Sequence, residues 1–267
     1  MYLISSLSNR PLNDIGANMI FKQLFEPLSS TYTYLIGDED TGHAVLIDPV
    51  IATMDRDLAE VHRLGLKLAF TIETHIHADH ITAALEMKRA VDSKIAVPAY
   101  DRLPCADVGI EEGKPLQIAG ITLQPLHTPG HTEGHFAYLM IDRVFTGDAL
   151  LIEGCGRTDF QNGDADTLFK SVRNKLFALP DETLVYPGHD YKERFVSSIA
   201  QEKKRNPRLG ENKSLEEFKT IMANLNLPYP KFIDHAVPGN QRCGVCPSDL
   251  PDNLSSYCGQ MTESKQG

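Results

Sequence analysis

The heptapeptide T-H-I-H-A-D-H, Thr74 to His80, stands directly after the apolar run LKLAFTIE, Leu66 to Glu73. Such a run reads as a strand buried on both faces. Three imidazoles and a carboxylate so close in sequence are costly to bury unless they share a cation or a dense hydrogen-bond network. In a tightly turning loop His75 and His77 reach the same side. Asp79 and His80, where a helix is expected to begin, reach a neighbouring position.

Further candidates downstream each follow a strand-like run. His131 lies in T-P-G-H-T, behind the tight turn of Pro129 and Gly130, and Asp148 lies in F-T-G-D-A, where Gly147 lets the backbone approach closely. His189 lies in Y-P-G-H-D, again behind Pro and Gly. One His or Asp near a turn is usually structural; the ordered set points to a metal site.

Upstream, MIFKQLFE from Met19, YTYLIG from Tyr32 and HAVLIDPV from His43 read as a β meander. Residues 54–65 place Leu58, Val61 and Leu64 on one helical face and stop at Gly65. Then follow a helix near 80–91, strands at KIAVPA, ITLQPLH and HFAYLMI, the run RVFTGDALL and a helix near 165–178. The strand TLVYP and helices near 192–204 and 214–224 complete the pattern. This is an α/β arrangement in which two strand-rich stretches are each followed by helices. Histidines placed just after strands put the site at strand ends, where open α/β sheets hold ligands.

The chain has 267 residues, with 42% apolar and 23% charged side chains, as ordinary globular proteins do. A net charge of −10, from 26 basic and 36 acidic residues, disfavours a nucleic-acid or anionic-membrane binder. No apolar run suggests a membrane span, and MYLISSLSNRPLND lacks the basic start of a secretory signal. Cys105, Cys155, Cys243, Cys246 and Cys258 make an odd count, which suggests reduced thiols and a cytoplasmic location. Cys243 and Cys246 form a C-x-x-C. They are expected to be thiols in an extended tail that starts near Gln241; a zinc knuckle would need His235 as its fourth ligand. His43, His62, His127 and His135 are expected to be structural.

The ordered set of histidines and aspartates resembles the metallo-β-lactamase superfamily, whose signature is His-x-His-x-Asp-His followed by a His, an Asp and a His. That resemblance implies an α/β fold, an αββα sandwich with the metal at one edge of its two sheets. It divides the chain into a lead-in (1–18), a catalytic domain (19–245) and a cysteine-containing tail (246–267). Two further segments look like the persulfide dioxygenases, the iron branch of that superfamily: G-C-G-R-T-D-F-Q, Gly154 to Gln161, and N-P-R-L at Asn206 with L-P-Y-P-K-F-I-D-H-A-V-P-G-N-Q-R-C-G-V ending at Val245.

The second resemblance implies oxidation of glutathione persulfide, or a similar low-molecular-weight persulfide, by O₂ and water to sulfite and glutathione. One Fe(II) per chain and no organic cofactor are expected. Carried over by motif, the ligands are His75, His131 and Asp148. They form a facial triad that leaves three octahedral positions open. His77, Asp79, His80 and His189 then orient ligands and substrate, or hold a second metal in a dinuclear hydrolase. Arg157, Tyr191 and Thr132 are the expected substrate contacts. Arg157 would meet a carboxylate with its fork, Tyr191 would offer its hydroxyl, and Thr132 would order a water. Cys155 is expected to be a small buried hydrophobe. Two alternatives stay open: a hydroxyacylglutathione-type thioester hydrolase with a dinuclear site, and a non-catalytic metal- or persulfide-responsive partner module. A homodimer is also open.

Overall fold

The computed structural model describes residues 18–248 and 250–258. Apart from Asn18, the N-terminal lead-in falls outside them, as does the end of the tail. The first sheet runs in chain order through β1 (Met19–Glu26), β2 (Thr31–Asp38), β3 (His43–Ile47), β4 (Lys67–Ile72), β5 (Lys94–Pro98) and β6 (Val108–Ile110). The second contains β7 (Leu116–Ile118), β8 (Ile121–His127), β9 (Phe136–Met140), β10 (Arg143–Gly147), β11 (Leu184–Pro187) and β12 (Ser197–Ser198), in the order β12-β11-β10-β9-β8-β7. The meander expected at the start is present: β1, β2 and β3 pair antiparallel. β3 to β6 then pair parallel, with α-helices in the β3–β4 and β4–β5 crossovers.

Side-chain alternation along the strands builds the layers. From β2, Tyr34 and Ile36 point between the sheets, where they join Val45, Ile47, Ile72, Leu123, Tyr138 and Phe145. Leu35, Leu46 and Leu68 point the other way, onto α1 (Met54–Arg63), α2 (Ala84–Val91) and, further along the chain, α6 (Ile233–Asn240). The outer face of the second sheet, Ala137, Val144 and Val185, is covered by α3 (Ala165–Ser171), α4 (Ile199–Arg205) and α5 (Leu215–Ala223) through Leu168, Ile199 and Phe218. Helix, sheet, sheet, helix is the expected αββα order.

Several local expectations change. The helix expected from 80 starts at Ala84, because Ile81 and Ala83 give their backbone to Ile51 and Pro49. The helix expected from 192 starts at Ile199: the Asp190 carboxylate accepts from the Lys192 and Arg194 amides and holds that stretch as a turn. Helix α6 was not anticipated, since Pro238 and Gly239 interrupt its pattern.

The cysteines are corrected most. Cys105 pairs with Cys243, and Cys246 with Cys258; Cys155 alone is free, and burial pushes its thiol up to about 11. No zinc knuckle forms at Cys243 and Cys246, and the argument from reduced thiols to a cytoplasmic location falls. The tail to Cys258 is not an extended arm. It packs Leu250, Leu254 and Tyr257 on the helical side of the first sheet, with the Tyr257 ring 4.4 Å from Phe232.

Phe145 is fully buried between the sheets, with ring centroids of Tyr34 and Phe21 at 4.9 and 5.9 Å. Phe145→Ala should cost about 3–5 kcal/mol in denaturant unfolding; a loss below about 1 kcal/mol would mean that the inter-sheet core is not tightly packed.

Candidate metal centre

The candidate residues come from loops at one edge of the sandwich. His75 and His77 follow β4, His131 follows β8, Asp148 follows β10 and His189 follows β11. Donor atoms of His75, His131 and Asp148 all lie within 4.8 Å of one another, and so do those of His77, Asp79 and His80. His131 Nε2 is 3.4 Å from Asp148 Oδ2. Cis donors on an octahedral ion, with bonds of about 2.1 Å, sit about 3 Å apart.

Outer contacts fix how each ligand atom faces. Thr74 donates its amide to Asp48 Oδ1 (2.7 Å) and its hydroxyl to Asp48 Oδ2 (2.8 Å). Its Oγ1 must therefore accept from His75 Nδ1–H, 2.8 Å away, which leaves the His75 Nε2 lone pair free. His131 Nδ1–H donates to the Arg157 carbonyl at 2.7 Å, freeing its own Nε2. The Asp148 amide donates to His135 Nε2 at 3.0 Å, so His135 Nδ1–H donates to Thr128 Oγ1 at 2.9 Å. His135 is structural, as expected, and its work is to seat the Asp148 backbone. Burial, then the neighbouring imidazoles, hold His75 and His135 well below the usual histidine pKa. Both are neutral at pH 7, the form a ligand needs.

His189 stands between the two trios, its Nε2 3.5 Å from Asp148 Oδ1 and 3.6 Å from Asp79 Oδ2. Burial opposes its protonation, but these carboxylates outweigh it and raise its pKa. Burial likewise opposes protonation of His77, yet Asp48 and Glu73, 3.1 and 3.3 Å from its Nε2, raise its pKa well above the usual value. His80 Nδ1 meets Asp79 Oδ2 at 3.0 Å, and Thr31 Oγ1 touches Asp79, His80 and His189.

The donor set fits a metal ion. Asp148 Oδ1, His77 Nδ1, His80 Nε2 and Thr132 Oγ1 are buried without a hydrogen-bond partner. Orphaned buried polar atoms cost of order 1–3 kcal/mol each; a cation at the first trio would engage Asp148 Oδ1, and one at the second His77 Nδ1 and His80 Nε2.

The three expected substrate contacts differ in placement. Tyr191 stacks on His189 at 6.1 Å and is 72% exposed. Thr132 is buried beside His131. The Arg157 guanidinium is already committed: it donates to both Asp159 oxygens (2.6 and 2.7 Å) and to Pro228 O (2.8 Å), and lies 4.5 Å over Phe160. Here it braces the rim, and its carbonyl holds His131.

Sequence reading did not find Asp48, Glu73, Thr31 or Asn240. The only local hint was the D-P after β3, which places Asp48 at a turn with φ of 50°.

The family model described as the metallo-beta-lactamase superfamily matches residues 27–189. The chain belongs to the metallo-β-lactamase superfamily. Within it, the chain is 47% identical to the human protein named persulfide dioxygenase ETHE1, mitochondrial, over 86% of this chain and 91% of that one. A solved structure of ETHE1 from Myxococcus xanthus superposes with a TM-score of 0.83 at 55% identity, covering 85% of this chain and all of that one, 100%. A cytoplasmic hydroxyacylglutathione hydrolase of Arabidopsis thaliana is 36% identical over 61% of this chain and 65% of its own length. The human relative is mitochondrial, so it lends no support to a cytoplasmic location.

The loops of this centre approach one another closely, and Gly156 shows how close. A Cβ there would lie 2.6 Å from the Asp148 carbonyl and 2.7 Å from His131 Nδ1. Gly156→Ala should therefore lower bound metal at least tenfold with little change in far-UV circular dichroism; full metal content would show that this approach does not position His131.

Proposed function

We propose that the chain is a persulfide dioxygenase, converting glutathione persulfide, O₂ and water to sulfite and glutathione. The observation that carries this reading is the near full-length likeness to named persulfide dioxygenases, 47% over 91% of the human protein, while the thioesterase likeness stops at 65% of its relative. The site agrees. His75, His131 and Asp148 are two imidazoles and a carboxylate, the facial set characteristic of non-haem Fe(II). Fe(II) held there would supply adjacent open positions at which a persulfide anion and O₂ meet, sparing much of the entropy of a three-body encounter.

The chain's own residues do the rest. The outer hydrogen bonds keep the His75 and His131 lone pairs inward. His189, with a raised pKa between Asp148 and Asp79, is placed to hold a proton beside an anionic sulfur. Tyr191 covers His189 from the solvent side and meets the glutathione moiety, and the unpartnered Thr132 hydroxyl aims a water or a substrate atom. To bind a glutathione carboxylate, Arg157 must exchange it for Asp159. His77, Asp79 and His80 orient the loop in this reading.

A dinuclear hydrolase would instead fill both trios. The test is anaerobic purification, metal analysis, and addition of glutathione persulfide with O₂ uptake and sulfite followed together. One iron per chain with O₂ consumed and sulfite formed is the expected result; two metals with thioester cleavage and no O₂ uptake would replace this reading. Asp148→Ala should abolish iron retention, and normal loading of that variant would refute the ligand assignment.

A further inference from the structure

The T-H-I-H-A-D-H loop rests on a floor supplied from the far end of the chain. Asn240 closes α6 and is only 4% exposed. Its Nδ2 donates to the His77 carbonyl at 2.9 Å and to the His80 carbonyl at 2.8 Å, and its Oδ1 accepts the Thr82 amide at 2.9 Å. One amide side chain thus satisfies three backbone groups in the segment that carries the histidines. Among the described residues, no other side chain bonds more than one of them.

The turn after Asn240 is pinned in its turn. The Cys243 carbonyl accepts from the Leu85 amide at 3.0 Å. At Gly244, with φ of 101°, a Cβ would lie 2.1 Å from the Thr82 carbonyl, so the two backbones are in direct contact. The Cys105–Cys243 disulfide then ties this turn to the loop after β5, a closure between residues 138 apart in sequence. Cys243 is 2% exposed among Ala84, Ile95 and Val97. A cavity of about 10 Å³, lined by Glu73, His75, His77, Asn240 and Cys243 among others, separates the bridge from the imidazoles. That is room for about one water, so the bridge lies close behind the imidazoles.

We propose that Asn240 is a positioning residue for the metal centre and that the Cys105–Cys243 bridge, by locking Asn240, makes metal retention respond to low-molecular-weight thiols. Cys105 is the half-buried partner, and it takes the attack. A thiolate bonds to the Cys105 sulfur, the bridge breaks, and its electron pair leaves on the Cys243 sulfur, which takes a proton. A second thiolate removes the first from Cys105. The products are a small disulfide and two cysteine thiols, so two small thiols are oxidised and the bridge is reduced. Glutathione, the product in the reaction proposed above, is a reductant of this class. The inference rests on that reading only for the presence of a metal.

The test uses the full chain with Cys246→Ser and Cys258→Ser, which removes the other bridge. Metal is loaded and measured first, so failure of the metal assignment shows at that step. Glutathione is then added, and free thiols, metal release to a chelator, and deuterium uptake over residues 75–85 are followed. Thiols should rise from one per chain, Cys155, to three. Release should accelerate roughly tenfold to a hundredfold, the range for lost outer-shell partners. Uptake should rise at Thr82 and its neighbours and stay unchanged in α3. Asn240→Asp, which keeps the shape and loses both donated bonds, should reproduce these changes with the bridge intact. Deuterium uptake reads the clamp even in metal-free protein. Three free thiols with unchanged uptake and release would overturn the role of the bridge, and an Asn240→Asp protein indistinguishable from the parent would overturn that of Asn240.

Discussion

A histidine binds a cation only through a ring nitrogen that carries no proton, and most of the architecture around this centre serves that constraint. His75 and His131 each spend Nδ1–H on a fixed acceptor, Thr74 Oγ1 in one case and the Arg157 carbonyl in the other. The Thr74 hydroxyl is left to accept from His75 because it donates its own hydrogen bond to Asp48, from the turn after β3. Asp148 is seated by its amide on His135, whose other nitrogen is bound to Thr128. The parallel strands β3 and β4 deliver Asp48 and Thr74 side by side, while β8 and β10 deliver Thr128 and the loop of Asp148. The first sheet orients the His75 lone pair and the second brings His131 and Asp148, so both are needed to complete the trio.

The same logic explains what could be read from sequence and what could not. The groups that face the metal are histidines and aspartates in short motifs, and all seven expected at the centre meet there. The groups behind them carry almost no local signal beyond the D-P at Asp48. Asp48 lies 26 residues before Thr74 and Asn240 lies 158 residues after Thr82, and neither residue type is unusual in a loop. Only the packing of α6 under the first sheet brings Asn240 to the metal loop, and Pro238 hid that helix from any periodicity argument. The sandwich was legible through the resemblance carried by those same motifs; the apolar run at β4 called for cover on two faces, but periodicity left open how the two strand-rich stretches pack. Disulfide partners were not legible, since Cys105 and Cys243 are distant in sequence and spacing does not fix pairing.

The acidic character of the chain also acquires a local meaning. Asp48, Glu73 and Asp148 are buried within a few ångströms of His77, His75 and His131. Buried carboxylates in low dielectric need positive partners. The centre therefore attracts a cation through its own walls, whatever the overall charge of −10 does at the surface.

The two donor trios differ in how their hydrogen bonds are arranged. Around His75, His131 and Asp148, the outward-facing nitrogens and the Asp148 amide are satisfied by groups outside the trio, so the inward atoms have no competing bond stronger than the 3.4 Å contact between His131 and Asp148. Around His77, Asp79 and His80, part of the hydrogen bonding lies inside the trio. His80 Nδ1 is 3.0 Å from Asp79 Oδ2, and Thr31 reaches both residues. An ion bound through that oxygen must displace those contacts, although His77 Nδ1 and His80 Nε2 are themselves buried without partners, as the inward atoms of the first trio are free of strong bonds. Preorganised donors bind more tightly for the same contacts, because little order remains to be imposed. In the mononuclear arrangement proposed above, a single occupied position would leave the His189 and Tyr191 side for the substrate.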